Sequence, residues 1–233
     1  MKNYLCLVTM LLLLGLSSCE QDGELKYSCD PQEDAWARNN LEEIRIMTRA
    51  DWLKVDDSKK RVVYRAFSTE QKQIFWMEKI DKILLANQWE GDEVNHLLLL
   101  KEAVKNHLYW FNPEGIEADE RTFDEFKIFA YQWLEYARDE LKWDEYLIGA
   151  IVATGNDLEF VNGNVVNNGG YPKKVMLKNR AEAICDCKSS NIVFTTCGSL
   201  QNSDCLTNRD CKEIRDCGFL TSETCDGICV FGG

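Results

Sequence analysis

The chain has 233 residues, 45% of them hydrophobic and 11% aromatic, which suffices for one ordinary globular domain and a small appendage but not for two full-sized domains. Its 39 acidic against 27 basic side chains leave a formal charge of -12, so nucleic acid is excluded as a partner held by a general basic field. The cysteine count is 11, and most of these lie in the last quarter of the chain.

Residues 1–18 read as a secretory signal. Lys2 precedes an apolar run from Leu5 to Leu14, which is too short to span a bilayer and is followed by small residues at Gly15, Ser17 and Ser18. The run Leu16-Ser17-Ser18-Cys19 resembles the lipobox of bacterial lipoproteins, which implies cleavage before Cys19 and lipid on its thiol. The expected location is the cell envelope, with the outer membrane as the anchoring layer and the periplasmic or surface side left open. Residues 19–33 begin Cys19-Glu20-Gln21-Asp22-Gly23-Glu24 and read as an acidic tether. The membrane is therefore expected as a partner through lipid on Cys19, alongside an envelope or cell-surface component.

The segment 34–154 is expected to be a helical domain. Trp36, Leu41, Ile44, Met47 and Trp52 recur at helical spacing and predict one amphipathic helix over about 31–52. Residues 56–60 read as a polar turn, and Val62, Val63 and Tyr64 as a short connector, extended or helical. Ser68 three residues before Gln71 is a capping-box pattern, and the helix it opens carries Ile74, Met77, Ile80 and Leu84 on one face. Gly91-Asp92 interrupts the pattern. A third helix then runs through Val94, Leu97, Leu98, Leu100, Val104 and Leu108 until Pro113 forces the chain out of the helical region. Phe123, Phe126, Phe129, Ala130, Trp133, Leu134, Ala137 and Leu141 mark the clearest helix, and a shorter one covers 144–153. These aromatic stripes read as core faces rather than cofactor boxes.

Gly and Asn dominate 155–170, so 155–180 is a linker or, across Asn162-Gly163, a hairpin flanked by Leu158, Phe160, Val165 and Val166. Gly169-Gly170 reads as a flexible turn, and Lys173, Lys174, Lys178 and Arg180 form a local basic cluster on a solvated face.

Residues 181–233 carry Cys185, Cys187, Cys197, Cys205, Cys211, Cys217, Cys225 and Cys229 with few other core-forming side chains. An exported chain reaches an oxidising compartment, so this density reads as a disulfide-held module; the one-residue gap in Cys185-Asp186-Cys187 does not suit a zinc knuckle. The pairing is not fixed by sequence, since eight cysteines admit about a hundred pairings. Cys29 is left to stay free, pair between chains or join the module. The expected fold class is therefore mainly α, an amphipathic helical bundle followed by a small disulfide-rich C-terminal module with little regular structure.

Cys185-Asp186-Cys187, the step Thr195-Thr196-Cys197-Gly198 and the cysteines from Cys205 to Cys229 resemble the cysteine-rich bacteriocin fulvocin C, and the whole chain resembles the bacteriocin fulvocin C-related proteins. This likeness implies a lipid-anchored envelope protein displaying a bacteriocin-like module for binding or interbacterial interaction. The alternatives are the precursor of a released peptide and an immunity or structural envelope lipoprotein. The module's acidic excess, with Asp186, Asp204, Asp210, Glu213, Asp216, Glu223 and Asp226 against Lys188, Arg209, Lys212 and Arg215, runs against cationic membrane disruption.

His96 and His107 sit about three turns and roughly 16 Å apart along a helix axis, too far for shared metal ligation, and read as surface or core-edge residues. No nucleophile elbow, phosphate loop, dinucleotide fingerprint or His-Glu-x-x-His pattern occurs, so no catalytic residue, cofactor or metal is expected.

Overall fold

The computed structural model describes residues 27–28, 31–86, 88–112, 116, 119–161, 164–167, 183–184, 203–206, 211–212 and 214–231. The protein is mainly α. Among the described residues, the helices are α1 (Pro31–Asn39), α2 (Leu41–Ile44), α3 (Arg49–Trp52), α4 (Asp57–Ala66), α5 (Thr69–Leu84), α6 (Gly91–Asn106), α7 (Glu120–Asp139) and α8 (Glu145–Val152). No helix among these residues is long and apolar enough to cross a membrane.

The single helix expected over 31–52 is broken into α1, α2 and α3. Thr48 explains the last break, because its side chain accepts from the Asp51 backbone N–H while Asp51 accepts from the Thr48 backbone, which starts a new helix there. The helix α1 begins at Pro31, inside the stretch read as tether, and Tyr27 is already buried, with its N–H donating to Asp34 Oδ1 at 2.7 Å. The polar residues 56–60 are a helix start rather than a turn. Asp56 caps α4 by accepting from the Ser58 N–H at 2.9 Å, and Val62, Val63 and Tyr64 follow as buried helical residues.

The Ser68–Gln71 capping box is present, with both reciprocal bonds made at 3.0 and 3.1 Å. The buried face of α5 is Phe75, Trp76, Lys79, Ile80 and Ile83, one step around the helix from the expected stripe, and Ile74 is exposed. Gln73, early in α5, donates to the carbonyls of Val104 and Lys105 at the end of α6, so the two helices run antiparallel. In α6, Leu97, Leu100 and Val104 are buried while Leu98 and Leu99 face solvent. The helix α7 follows the expected face closely: Phe126, Ala130, Trp133, Leu134 and Ala137 are buried, with Phe123, Phe129 and Leu141 packed at the margin.

Beyond α8, β1 (Glu159–Val161) pairs antiparallel with β2 (Asn164–Asn167), which favours the hairpin reading of that stretch. The C-terminal region forms short strands in pairs: β3 (Ala183–Ile184) with β5 (Cys211–Lys212), β4 (Ser203–Leu206) with β8 (Ile228–Phe231), and β6 (Ile214–Cys217) with β7 (Glu223–Cys225). A single turn of 3-10 helix, Phe219–Thr221, links β6 to β7. Phe219 and Leu220, within the segment expected to form a separate disulfide-held module, belong to the same buried cluster as the residues of α4, α5, α6 and α7.

Candidate functional site

The seam where the β6–β7 hairpin meets the helices gathers the most unusual chemistry among the described residues. The antiparallel register shifts between Arg215 and Cys217, so Asp216 occupies a bulge with φ +123°. This turns its carboxylate onto α4, where Arg61 Nη2 donates to Oδ1 at 2.5 Å and Arg61 Nε to Oδ2 at 3.0 Å. Arg65, one helical turn further on, adds Nη2 to Oδ1 at 3.2 Å. Burial works against the charged carboxylate, but the two guanidinium groups outweigh it and hold Asp216 below the usual carboxylate range. Burial also pushes Arg65 below the usual arginine value, against the pull of Asp216, yet a guanidinium starts so high that the pair stays ionised.

Cys217 and Cys225 form a disulfide that closes the hairpin, with an S–S length of 2.00 Å and Cα atoms 5.2 Å apart. Arg61 Nη2 lies 3.7 Å from Cys217 Sγ and 3.5 Å from Cys225 Sγ. Asp216, Cys217 and Cys225 converge within 4.8 Å, a spacing that suits a cation in a reduced protein. Here the sulfurs are bonded to each other and a guanidinium already sits against them, so the group is a disulfide beside an ion pair rather than a cation site.

The turn after Cys217 is held in an unusual backbone conformation. Gly218 has φ +72°, and a Cβ there would fall 1.7 Å from Glu223 Oε2, so no other residue fits without moving that carboxylate. Glu223 is buried and accepts from the Phe219 N–H at 3.2 Å. Leu220 and Thr221 also adopt positive φ, of +54° and +50°. Positive φ at three non-glycine residues in six positions is strain that the surrounding contacts must hold in place. Much of that hold comes from Phe219, whose ring lies 5.9 Å from Phe126, 6.2 Å from Phe129 and 5.6 Å from Trp133.

Next to the hairpin, α4, α5 and the end of α8 border a partly open cavity of about 80 Å³. Its walls are aromatic, with Phe75 edge-on to Trp52 at 5.0 Å and to Tyr64 at 5.3 Å. Gly155, read from sequence as the start of a flexible linker, is a packing residue: a Cβ there would lie 2.5 Å from Phe75 Cζ and 2.8 Å from Trp52 Cη2. Two buried cations close the floor behind it. Lys79 Nζ donates to Ala150 O at 2.7 Å and also to Thr154 O, while Arg49 donates to Gly155 O at 2.8 Å and pairs with Asp157 at 2.7 Å. Burial pushes Lys79 well below the usual lysine value, and the neighbouring Arg49 adds to that shift. Lys79 thereby satisfies a carbonyl in the last turn of α8, and the two side chains bind the carbonyls of Thr154 and Gly155 just beyond the helix.

Of the cysteines singled out from sequence, Cys217 and Cys225 are brought together. The backbones of Cys205 and Cys229 lie opposite each other in the β4–β8 register, and Cys211 stands in β5. Cys19, Cys29, Cys185, Cys187 and Cys197 lie outside the described residues. His96 is a core residue rather than a surface one: it stacks on Trp133 at 4.4 Å, and its Nε2 donates to Trp133 O at 3.0 Å. His107 stacks on Trp110 at 4.3 Å, so the histidines serve separate aromatic contacts. Sequence reading passed over Arg61, Arg65 and Lys79. Only Lys79 left a signal, as a cation on the same helix face as Phe75, Trp76 and Ile83, where a solvated charge is out of place. Comparison with known proteins gives no matching family model, no matching curated protein and no matching solved structure.

Proposed function

We propose that the chain is a lipid-anchored, non-enzymatic envelope protein that displays its cysteine-rich C-terminal segment on a helical body, for binding or interbacterial contact. The signal and lipobox-like run ending at Cys19 support the anchor, and the cysteine pattern supports a place among the fulvocin C-related proteins. The observation that carries the reading is the insertion of the hairpin into the helical core, with Phe219 and Leu220 fully buried and Asp216 seated on Arg61 and Arg65. Cutting the chain near 169–180 and releasing the tail would open the aromatic cluster around Trp133 and leave two guanidinium groups of α4 without Asp216. Such a step costs several kcal/mol, from the lost burial of Phe219 and the broken buried ion pair. Display on an intact chain is favoured over release of a peptide on that ground.

The test is mass spectrometry of cell envelopes and culture medium from the producing bacterium. Intact chain in the envelope with an acyl mass on Cys19, and no free C-terminal fragment in the medium, is the expected result. A fragment beginning between 169 and 181 in the medium would replace display with release, and an unmodified Cys19 would remove the anchor.

A further inference from the structure

One strand register sets two cysteines directly opposite each other. In the antiparallel β4–β8 pair Cys205 stands against Cys229, between the rungs of Asp204 with Val230 and Leu206 with Ile228, and the register runs through without a shift. Opposed residues of an antiparallel pair lie about 4.5 or 5.5 Å apart at Cα, depending on whether they exchange backbone hydrogen bonds, and both values fall within the roughly 4.4–6.8 Å that a disulfide spans. Such residues also project to the same side of the ladder, as a bridge requires. A slip of one residue would put Ile228 or Val230 opposite Cys205 instead.

The other registers offer no such pair among the described residues. Cys211 stands opposite Ala183 in the β3–β5 pair, and in the β6–β7 hairpin Cys217 stands opposite Glu223 and Cys225 opposite Ile214. Those two hairpin cysteines are nonetheless bonded to each other, across the shifted register at Asp216, with Cα atoms 5.2 Å apart. A segment that holds one buried disulfide is already in the redox state that a second one needs.

We propose that Cys205 and Cys229 form a second disulfide, which ties β4 to the last strand and encloses the Cys217–Cys225 bridge within its loop. Its formation takes two protons and two electrons from the thiols and passes them to a disulfide-bearing oxidant, which leaves as a dithiol. The tail thereby gains a covalent hold that the hairpin bridge does not give. A cut after Arg209, Lys212 or Arg215 leaves residues 216–233 attached until the outer bridge is reduced. The inference needs an oxidised chain and stands whether or not Cys19 carries lipid.

The test is a non-reducing peptide map of the full chain isolated from the producing bacterium, with free thiols alkylated before digestion by trypsin and by a protease that cuts before aspartate. Those cuts separate residues 204–209, 216–225 and 226–233, so each bridge has its own signature. The expected result is peptide 204–209 joined to peptide 226–233, the two parting on reduction, and peptide 216–225 closed internally. Either outer peptide joined to a different cysteine peptide, or carrying an alkylated thiol, would overturn the proposal. Thiol counts on variants under denaturing, non-reducing conditions give an independent readout. Cys205→Ser is expected to expose one new thiol, at Cys229, and Cys205→Ser combined with Cys229→Ser to expose none. Two new thiols in the double variant would place the two cysteines in different bridges and overturn the proposal equally.

Discussion

Arg61 and Asp216, 155 residues apart in sequence, meet through a two-pronged ion pair whose shorter arm is 2.5 Å, and that contact holds the C-terminal hairpin to the helical body. A bulge in β6 supplies the carboxylate and one face of α4 supplies the guanidinium, so neither side has this geometry without the other. Asp216→Asn keeps the shape and removes the buried charge that Arg61 and Arg65 share. It is expected to cost about 3–5 kcal/mol in urea unfolding. Arg61→Met should cost less, because Arg65 still pairs with Asp216 at 3.1 Å. Equal losses for both substitutions would mean that the shared-carboxylate arrangement is not the source of the stability.

The Cys217–Cys225 bridge has a separate role, since it closes a loop within the hairpin rather than crossing the seam. Breaking it by Cys225→Ser is expected to cost about 2–3 kcal/mol through the freedom returned to the unfolded loop. The loss should be local. Limited proteolysis is expected to cut between β6 and β7 in the variant while far-UV circular dichroism keeps the helical signal. A collapse of helicity on breaking this one bridge would contradict the arrangement, because α1 to α8 share no disulfide with it among the described residues.

Helices with strong periodic faces were legible in the sequence: α7 with its aromatic stripe, α8 with Asp144 before it, and the start of α5 at the Ser68–Gln71 box. The segment 31–66 was less legible because its breaks depend on local caps at Thr48 and Asp56 that compete with a continuous apolar rhythm. The candidate site was almost illegible. An ion pair between residues of α4 and β6 leaves no local pattern, since each arginine alone resembles a solvated helix charge. Gly155 shows the same limit: it read as the start of a linker, and it is required by close packing. Cys217 and Cys225 form a bridge that the sequence did not name, because partner choice depends on which strands pair, and that is long-range information.

Gly218 is the most demanding position in the hairpin. Its φ of +72° disfavours an L side chain, and the space a Cβ would occupy is filled by the Glu223 carboxylate that receives the Phe219 N–H. Gly218→Ala is expected to destabilise the protein by about 2 kcal/mol or more, from backbone strain and a displaced acceptor together. Glu223→Ala in the same chain should relieve the clash and recover part of the loss, but not all, because the Phe219 N–H is then buried without its acceptor. Thermal melts of the two single variants and the double variant separate these contributions. A double variant no more stable than Gly218→Ala would show that the carboxylate is not what the new side chain meets.

Acid should weaken the protein in two steps with distinct owners. Burial against Trp133 lowers His96 from 6.5 to about 4, although its hydrogen bond to the Trp133 carbonyl pulls the other way. The unfolded chain therefore takes up a proton at His96 near pH 6.5 while the folded chain refuses it until about pH 4. Between those values the unfolded state binds more protons, so stability is full above the upper one and falls as pH drops towards the lower one, by on the order of 2 kcal/mol. Asp216 acts in the same direction but later, because its folded value lies below an ordinary 3.8 and its contribution is lost only as pH falls beneath that. Urea midpoints at pH 7.5, 5.5 and 4.5 are expected to decline steadily in the native chain. His96→Gln, which keeps a donor for the Trp133 carbonyl, should flatten that decline and leave the steeper loss below pH 4 in place. A native chain with constant midpoints from pH 7.5 to 4.5, or an equal decline in the variant, would place the histidine outside the core that its stacking distance of 4.4 Å describes.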